Sequence, residues 1–82
     1  MFSVTILPVA ERQINKLPEE VQWRIAQVLD RICVRPFHFV KRKEGTPHFI
    51  MRVGEYRVIL DIRVDEEKMY VVEVGHRKNI YG

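Results

Sequence analysis

Arg52 and Arg57 flank the short segment Val53-Gly54-Glu55-Tyr56, and His76, Arg77, Lys78 and Tyr81 fall together near the end of the 82-residue sequence. These side chains can handle a phosphodiester. A guanidinium presents a planar fork of donors that matches paired phosphate oxygens. An imidazole exchanges protons near neutral pH, and a phenol does so when nearby cations lower its pKa. A further run, Lys41-Arg42-Lys43, most often marks a solvated loop, yet such a run also holds a nucleic-acid backbone without reading its bases. For each residue alone the ordinary role is surface packing, and it is the grouping that suggests chemistry.

Composition limits what these groups can serve. Lysine and arginine number 14 against 11 acidic residues, a net charge of +3, and the pI is near 9.3. That permits an anionic partner without demanding one. With 46% hydrophobic and 30% charged residues, the chain reads as globular, neither disordered nor membrane-spanning. The length suits one domain, residues 1–82, and a domain this small buries only about 60% of its unfolded surface. Cys33 is the single cysteine, so an internal disulfide and a site of several thiolates are excluded, and a reducing compartment is expected. Met1 to Pro8 has no basic segment and too short an apolar run for a secretory signal, which points to the cytoplasm. His38, His48 and His76 are scattered, against a preformed zinc site, and no glycine-rich phosphate loop is present. The sequence calls for neither metal nor cofactor.

The elements that must position these residues can be placed from periodicity. Phe2 to Leu7 is β-branched and aromatic and stops at Pro8, which predicts a short strand. Pro8 suits the first turn of a helix to about Lys16, with Ala10, Ile14 and Leu17 on one side. Pro18 opens a second helix, with Glu19 and Glu20 in its first turn and Arg31 in its last, as the helix dipole favours. Val21, Ile25, Val28, Leu29 and Ile32 form one apolar stripe along it. Trp23 lies off that stripe, so it either fills the groove between the helices or faces a partner. Pro36 is expected to end the helix, and Phe37 to Pro47 to be a linker carrying Lys41, Arg42 and Lys43. Three strands in a meander follow, at about His48 to Val53, Tyr56 to Val64 and Lys68 to Val74. Gly54-Glu55 suits a two-residue hairpin turn, since glycine accepts the positive φ of its first position. Asp65-Glu66-Glu67 closes the second hairpin.

Alternation then sorts the strand residues into two faces. Phe49, Met51, Val53, Tyr56, Val58, Leu60 and Ile62, with Tyr70, Val72 and Val74, form the expected core face under the helices. The outer face holds His48, Ile50, Arg52, Arg57, Ile59, Asp61, Arg63, Met69, Val71 and Glu73, and Arg77 if the strand continues. Arg52 directly opposite Arg57 costs about 1 kcal/mol at surface dielectric. A fold has no need of that pair, whereas a bound phosphate turns the repulsion into shared attraction. The alternative is that Asp61 and Glu73 neutralise these arginines on the same face. Gly75 either flattens the floor beside Arg57 or forms a bulge that ends the strand.

Gly54-Glu55-Tyr56-Arg57-Val58-Ile59-Leu60-Asp61-Ile62, followed after an acidic turn by Val71-Val72-Glu73-Val74-Gly75-His76-Arg77-Lys78-Asn79-Ile80-Tyr81, resembles the C-terminal half of RelE/ParE-superfamily toxins. Their patterns run roughly G-x-Y-R-V-I-Y-x-I and V-G-H-R-x-x-V-Y. Lys16-Leu17-Pro18 and the Pro36 stop are similar to the family's helical hairpin, so the resemblance covers nearly the whole chain. It implies an α+β fold of β-α-α-β-β-β order, a twisted, mainly antiparallel sheet with the hairpin on one face and a basic concave face opposite.

The resemblance also implies a function: the toxin of a toxin-antitoxin system, cutting messenger RNA in the ribosomal A site. The chemistry is attack of a 2′-hydroxyl on the adjacent phosphate without a metal. Arg57 and Arg77 match the family's phosphate-binding and transition-state arginines, and Tyr81 its C-terminal tyrosine. Arg52 fits the basic strand facing Arg57, and His76 a position that is histidine or basic in some members. Lys41, Arg42, Lys43 and Lys78 would contact RNA. Some members carry two lysines where this chain has His48 and Ile50. His48 can substitute and Ile50 cannot, which leaves the general base open. The alternatives are a ParE-like inhibitor of DNA gyrase, or a degenerate nontoxic nucleic-acid-binding module. An antitoxin protein is the implied partner, and the oligomeric state is not legible.

Overall fold

Proline places both helix starts. In the computed structural model, which describes residues 1–76, strand β1 (Ser3–Ile6) gives way to helix α1 (Pro8–Asn15), with Pro8 in the first turn, where a missing N–H costs nothing. Helix α2 (Glu19–Ile32) follows Pro18, with Glu19 and Glu20 at its start and Arg31 in its last turn. It ends at Ile32, before Pro36 is reached. There the Phe2 amide donates to the Cys33 carbonyl at 2.8 Å, so the start of the chain satisfies a helix-end carbonyl.

Four more strands complete the described fold: β2 (Val40–Arg42), β3 (Phe49–Val53), β4 (Tyr56–Arg63) and β5 (Lys68–His76). The sheet order is β1-β5-β4-β3-β2. Only β1–β5 is parallel, the remaining described pairs being antiparallel. The expected α+β architecture is present. Strand β2 is an addition, because the basic run forms an edge strand where a linker was expected. Val40 pairs with Met51 and packs against the core, while Lys41 pairs with Ile50. One apolar residue in three is too short a pattern to read as a strand.

Ala10, Ile25, Leu29 and Ile32 from the helices meet Met51, Val53, Val58, Leu60 and Ile62 from the hairpin in one core. Strict alternation fails along β5. Met69 and Val71, expected outside, are fully buried, while Tyr70 and Val72 are only partly so. The cause is a bulge: Ile59 pairs with Glu73 but Leu60 with Val71, leaving Val72 as an extra residue. One extra residue reverses the faces on either side of it.

Two features tie the helices to their surroundings. Gln13 of α1 accepts the Val74 amide proton at 2.6 Å, and Gln22 of α2 donates to the Leu17 carbonyl at 2.9 Å. Trp23 stays 65% exposed, so it does not fill an interhelical groove.

Candidate functional site

Gly54 has a φ of +60°, the left-handed conformation the two-residue turn requires. That turn sets Arg52 directly opposite Arg57, and the β4–β5 ladder sets Gly75 opposite Arg57 on the other side. Gly75 lies within the strand, and the bulge is earlier. Since Met51 and Val53 face the helices, alternation sends Ile50, Arg52 and Arg57 outward, with Lys41 beside Ile50.

A cavity of about 440 Å³ opens at this edge, walled by Lys41, Arg42, Arg52 and Arg57, by Arg31 and Val28 from α2, and by Phe39 and Ile50. Among the described residues the wall carries five cations and no carboxylate. Asp61 is engaged by Arg63, through Nε at 3.2 Å and Nη2 at 3.0 Å. That hydrogen bond, reinforced by the charge of Asp61, raises the Arg63 pKa above its ordinary value. Such a gathering of cationic side chains around a concave space attracts an anion.

Sequence reasoning and the described geometry overlap in part. Arg52, Arg57, Lys41 and Arg42 come together on the wall. Lys43 and His48 instead build the turn between β2 and β3. The Lys43 amide donates to the His48 carbonyl at 2.9 Å, and the His48 amide to Thr46 Oγ1 at 3.2 Å. His76 pairs with Tyr56 in the ladder and so points to the helix side, one position past Gly75. Its Nε2 is 3.4 Å from Glu55, and its ring lies edge-on to Tyr56 at 5.6 Å. Arg77, Lys78 and Tyr81 lie outside the described residues. Arg31 and Phe39 went unrecognised in the sequence. Arg31 had a sufficient role at the helix end, and Phe39 alternates with Lys41 too briefly to signal a shared wall. Among the described residues no group of three or more His, Cys, Asp and Glu side chains is placed to hold a metal ion.

Residues 4–81 match the family described as the ParE toxin of type II toxin-antitoxin system, parDE. The chain belongs to the RelE/ParE toxins. A search of curated proteins found no match. Among solved structures, the toxin fold is similar to the RelBE2 toxin-antitoxin complex from Mycobacterium tuberculosis, with a TM-score of 0.83 and 24% identity, covering 93% of this chain and 98% of that one. It is similar also to the intact RelBE toxin-antitoxin complex of E. coli, TM-score 0.83 and 16% identity over 93% and 96% of the two chains. The archaeal RelE-RelB complex from Pyrococcus horikoshii gives 0.82 and 22%, over 93% and 94%. At these identities the likeness concerns the fold, which in this toxin is RelE-like. Among the described residues no helix is long and apolar enough to cross a membrane.

Proposed function

We propose that this toxin is a ribosome-dependent endoribonuclease acting on messenger RNA in the cytoplasm. The observation that carries the reading is the cavity to which the described residues bring five cationic side chains and no carboxylate, Arg52 and Arg57 facing each other within it. RNA supplies its own nucleophile. The 2′-hydroxyl attacks the adjacent phosphorus, the bond to the 5′-oxygen breaks, and a 2′,3′-cyclic phosphate and a 5′-hydroxyl result. The protein's tasks are to neutralise charge on the pentavalent phosphate and to move two protons, one off the 2′-oxygen and one onto the leaving oxygen. Arg57, supported by Arg52 and joined by Arg77, serves the first task. Tyr81 serves the second, with His48 the substitute for a missing lysine, while His76, turned to the helix side beside Tyr56 and Glu55, stands apart from the arginines. Lys41, Arg42, Lys43 and Lys78 hold ribosomal or messenger RNA through its backbone. No metal or cofactor enters the scheme.

The partner that restrains the toxin is an antitoxin. The similar structures from M. tuberculosis, E. coli and P. horikoshii are toxin-antitoxin complexes, and a basic cavity suits coverage by a partner segment.

Mapping cut sites in a translated messenger tests the reading. The parent should cut translated RNA and leave a 2′,3′-cyclic end, and Arg57→Ala should remove most of that cleavage. Full cleavage by Arg57→Ala and Arg52→Ala would exclude the assigned roles. A second reading, inhibition of DNA gyrase, has the family match to ParE in its favour. Loss of plasmid supercoiling without RNA cleavage would establish it, and an effect on neither would indicate a nontoxic binding module.

A further inference from the structure

Phe39 is an aromatic ring set into a wall of cations. It stays 47% exposed and meets His38 edge-on, with ring centroids 4.6 Å apart. The nearby Phe37 has a different task, packing edge-on at 5.3 Å against Phe49, which itself packs on the core. Phe39 lies on the cavity wall with Lys41, Arg52 and Arg57, where a half-exposed ring does little for folding. A phosphate alone would use the cations and leave the ring in water. A nucleotide uses both, because its base has a flat π face and its phosphate is attached a short distance away. In a duplex the base faces are already covered by their neighbours, so only the cations would engage. An acidic peptide likewise matches the charge and brings no flat face for the ring.

We infer that Phe39 is a stacking platform for one unstacked nucleobase whose phosphate is held by Lys41, Arg52 and Arg57, so that the cavity selects single-stranded RNA over duplex. This rests on the reading of the cavity as an RNA site and extends it from the phosphate to the base. The His38 ring, edge-on to Phe39, fixes the orientation of the platform.

Fluorescence anisotropy of the whole chain tests it, using a short labelled single-stranded RNA of mixed sequence, an abasic strand of equal length, a duplex and a poly-glutamate peptide. Phe39→Ala should weaken the base-bearing strand by about tenfold and leave the abasic strand and the duplex unchanged, and Phe39→Trp should restore the parent's affinity. Undiminished binding of the base-bearing strand by Phe39→Ala, or an equal loss on the abasic strand, overturns the stacking role. If Arg57→Ala still weakens both strands in that case, the cavity remains an RNA site. If neither Arg52→Ala nor Arg57→Ala affects any strand, the RNA reading itself fails and the platform with it. Poly-glutamate binding that matches RNA and falls in Phe39→Ala would make the cavity a peptide site and also overturn the proposal.

Discussion

Arg52 and Arg57 are direct partners across the β3–β4 ladder and line one cavity together. Like charges directly opposite on a sheet are destabilising, by up to about 1 kcal/mol. Replacing Arg52, the exposed member, by threonine should therefore raise stability by about 0.5 kcal/mol while weakening RNA binding, the usual trade at a functional site. Urea denaturation alongside an RNA titration checks both. A variant no more stable than the parent would mean that the repulsion is already relieved in the folded chain.

The bulge in β5 makes a prediction that strict alternation reverses. Met69 is fully buried, whereas Val72 is the extra, half-buried residue. Met69→Ala should cost about 2–5 kcal/mol, enough to unfold so small a domain in mild denaturant. Val72→Ala should cost no more than about 1 kcal/mol. Comparing the two urea midpoints decides the matter, and a larger loss at Val72 would contradict the register.

Trp23, the one tryptophan of the sequence, is 65% exposed on α2. Its fluorescence in the folded protein should already be that of an indole in water and should be quenched efficiently by acrylamide. Trp23→Ala should change stability by no more than about 0.5 kcal/mol. Strong shielding from the quencher would show that the side chain is covered in solution.

Burial raises the Cys33 thiol pKa, Asp30 raises it further, and the chain's amino terminus opposes both. The folded thiol thus keeps its proton to higher pH than the unfolded one. Below the unfolded value both states are protonated and the stability is fully present. As pH rises above about 8.5 the unfolded chain releases its proton first, so stability falls until the folded thiol ionises as well. Melting temperatures measured across that range should decline, and Cys33→Ala should remove that part of the decline. A decline of equal size in the alanine variant would assign it to other groups.

The hairpin that carries the arginines was legible because local rules agree there. Gly54 supplies the positive φ, and unbroken alternation on both sides sets Arg52 against Arg57. The proline-opened helices were legible for the same reason. The bulge at Val72 was hidden because apolar residues occupy both faces of β5, so a one-residue slip leaves no trace in the pattern. Strand β2 depends on a partner distant in sequence, Met51. Arg31 and Phe39 were invisible as site residues for a related reason, since their meeting with Arg57 is produced by the tertiary fold alone.

Gln13 accepting the Val74 amide proton has a consequence for how the sheet ends. Strand β1 runs out at Ile6, opposite Val71, and Leu7 makes the last contact on that side by donating to the Val71 carbonyl at 3.0 Å. Beyond that point a helix side chain replaces the neighbouring strand. The Val74 amide should accordingly exchange with deuterium as slowly as one inside the ladder, and Gln13→Leu should release it. A single carboxamide thereby latches the helical layer to the strand bearing Gly75, so loosening α1 would be felt at the floor beneath Arg57.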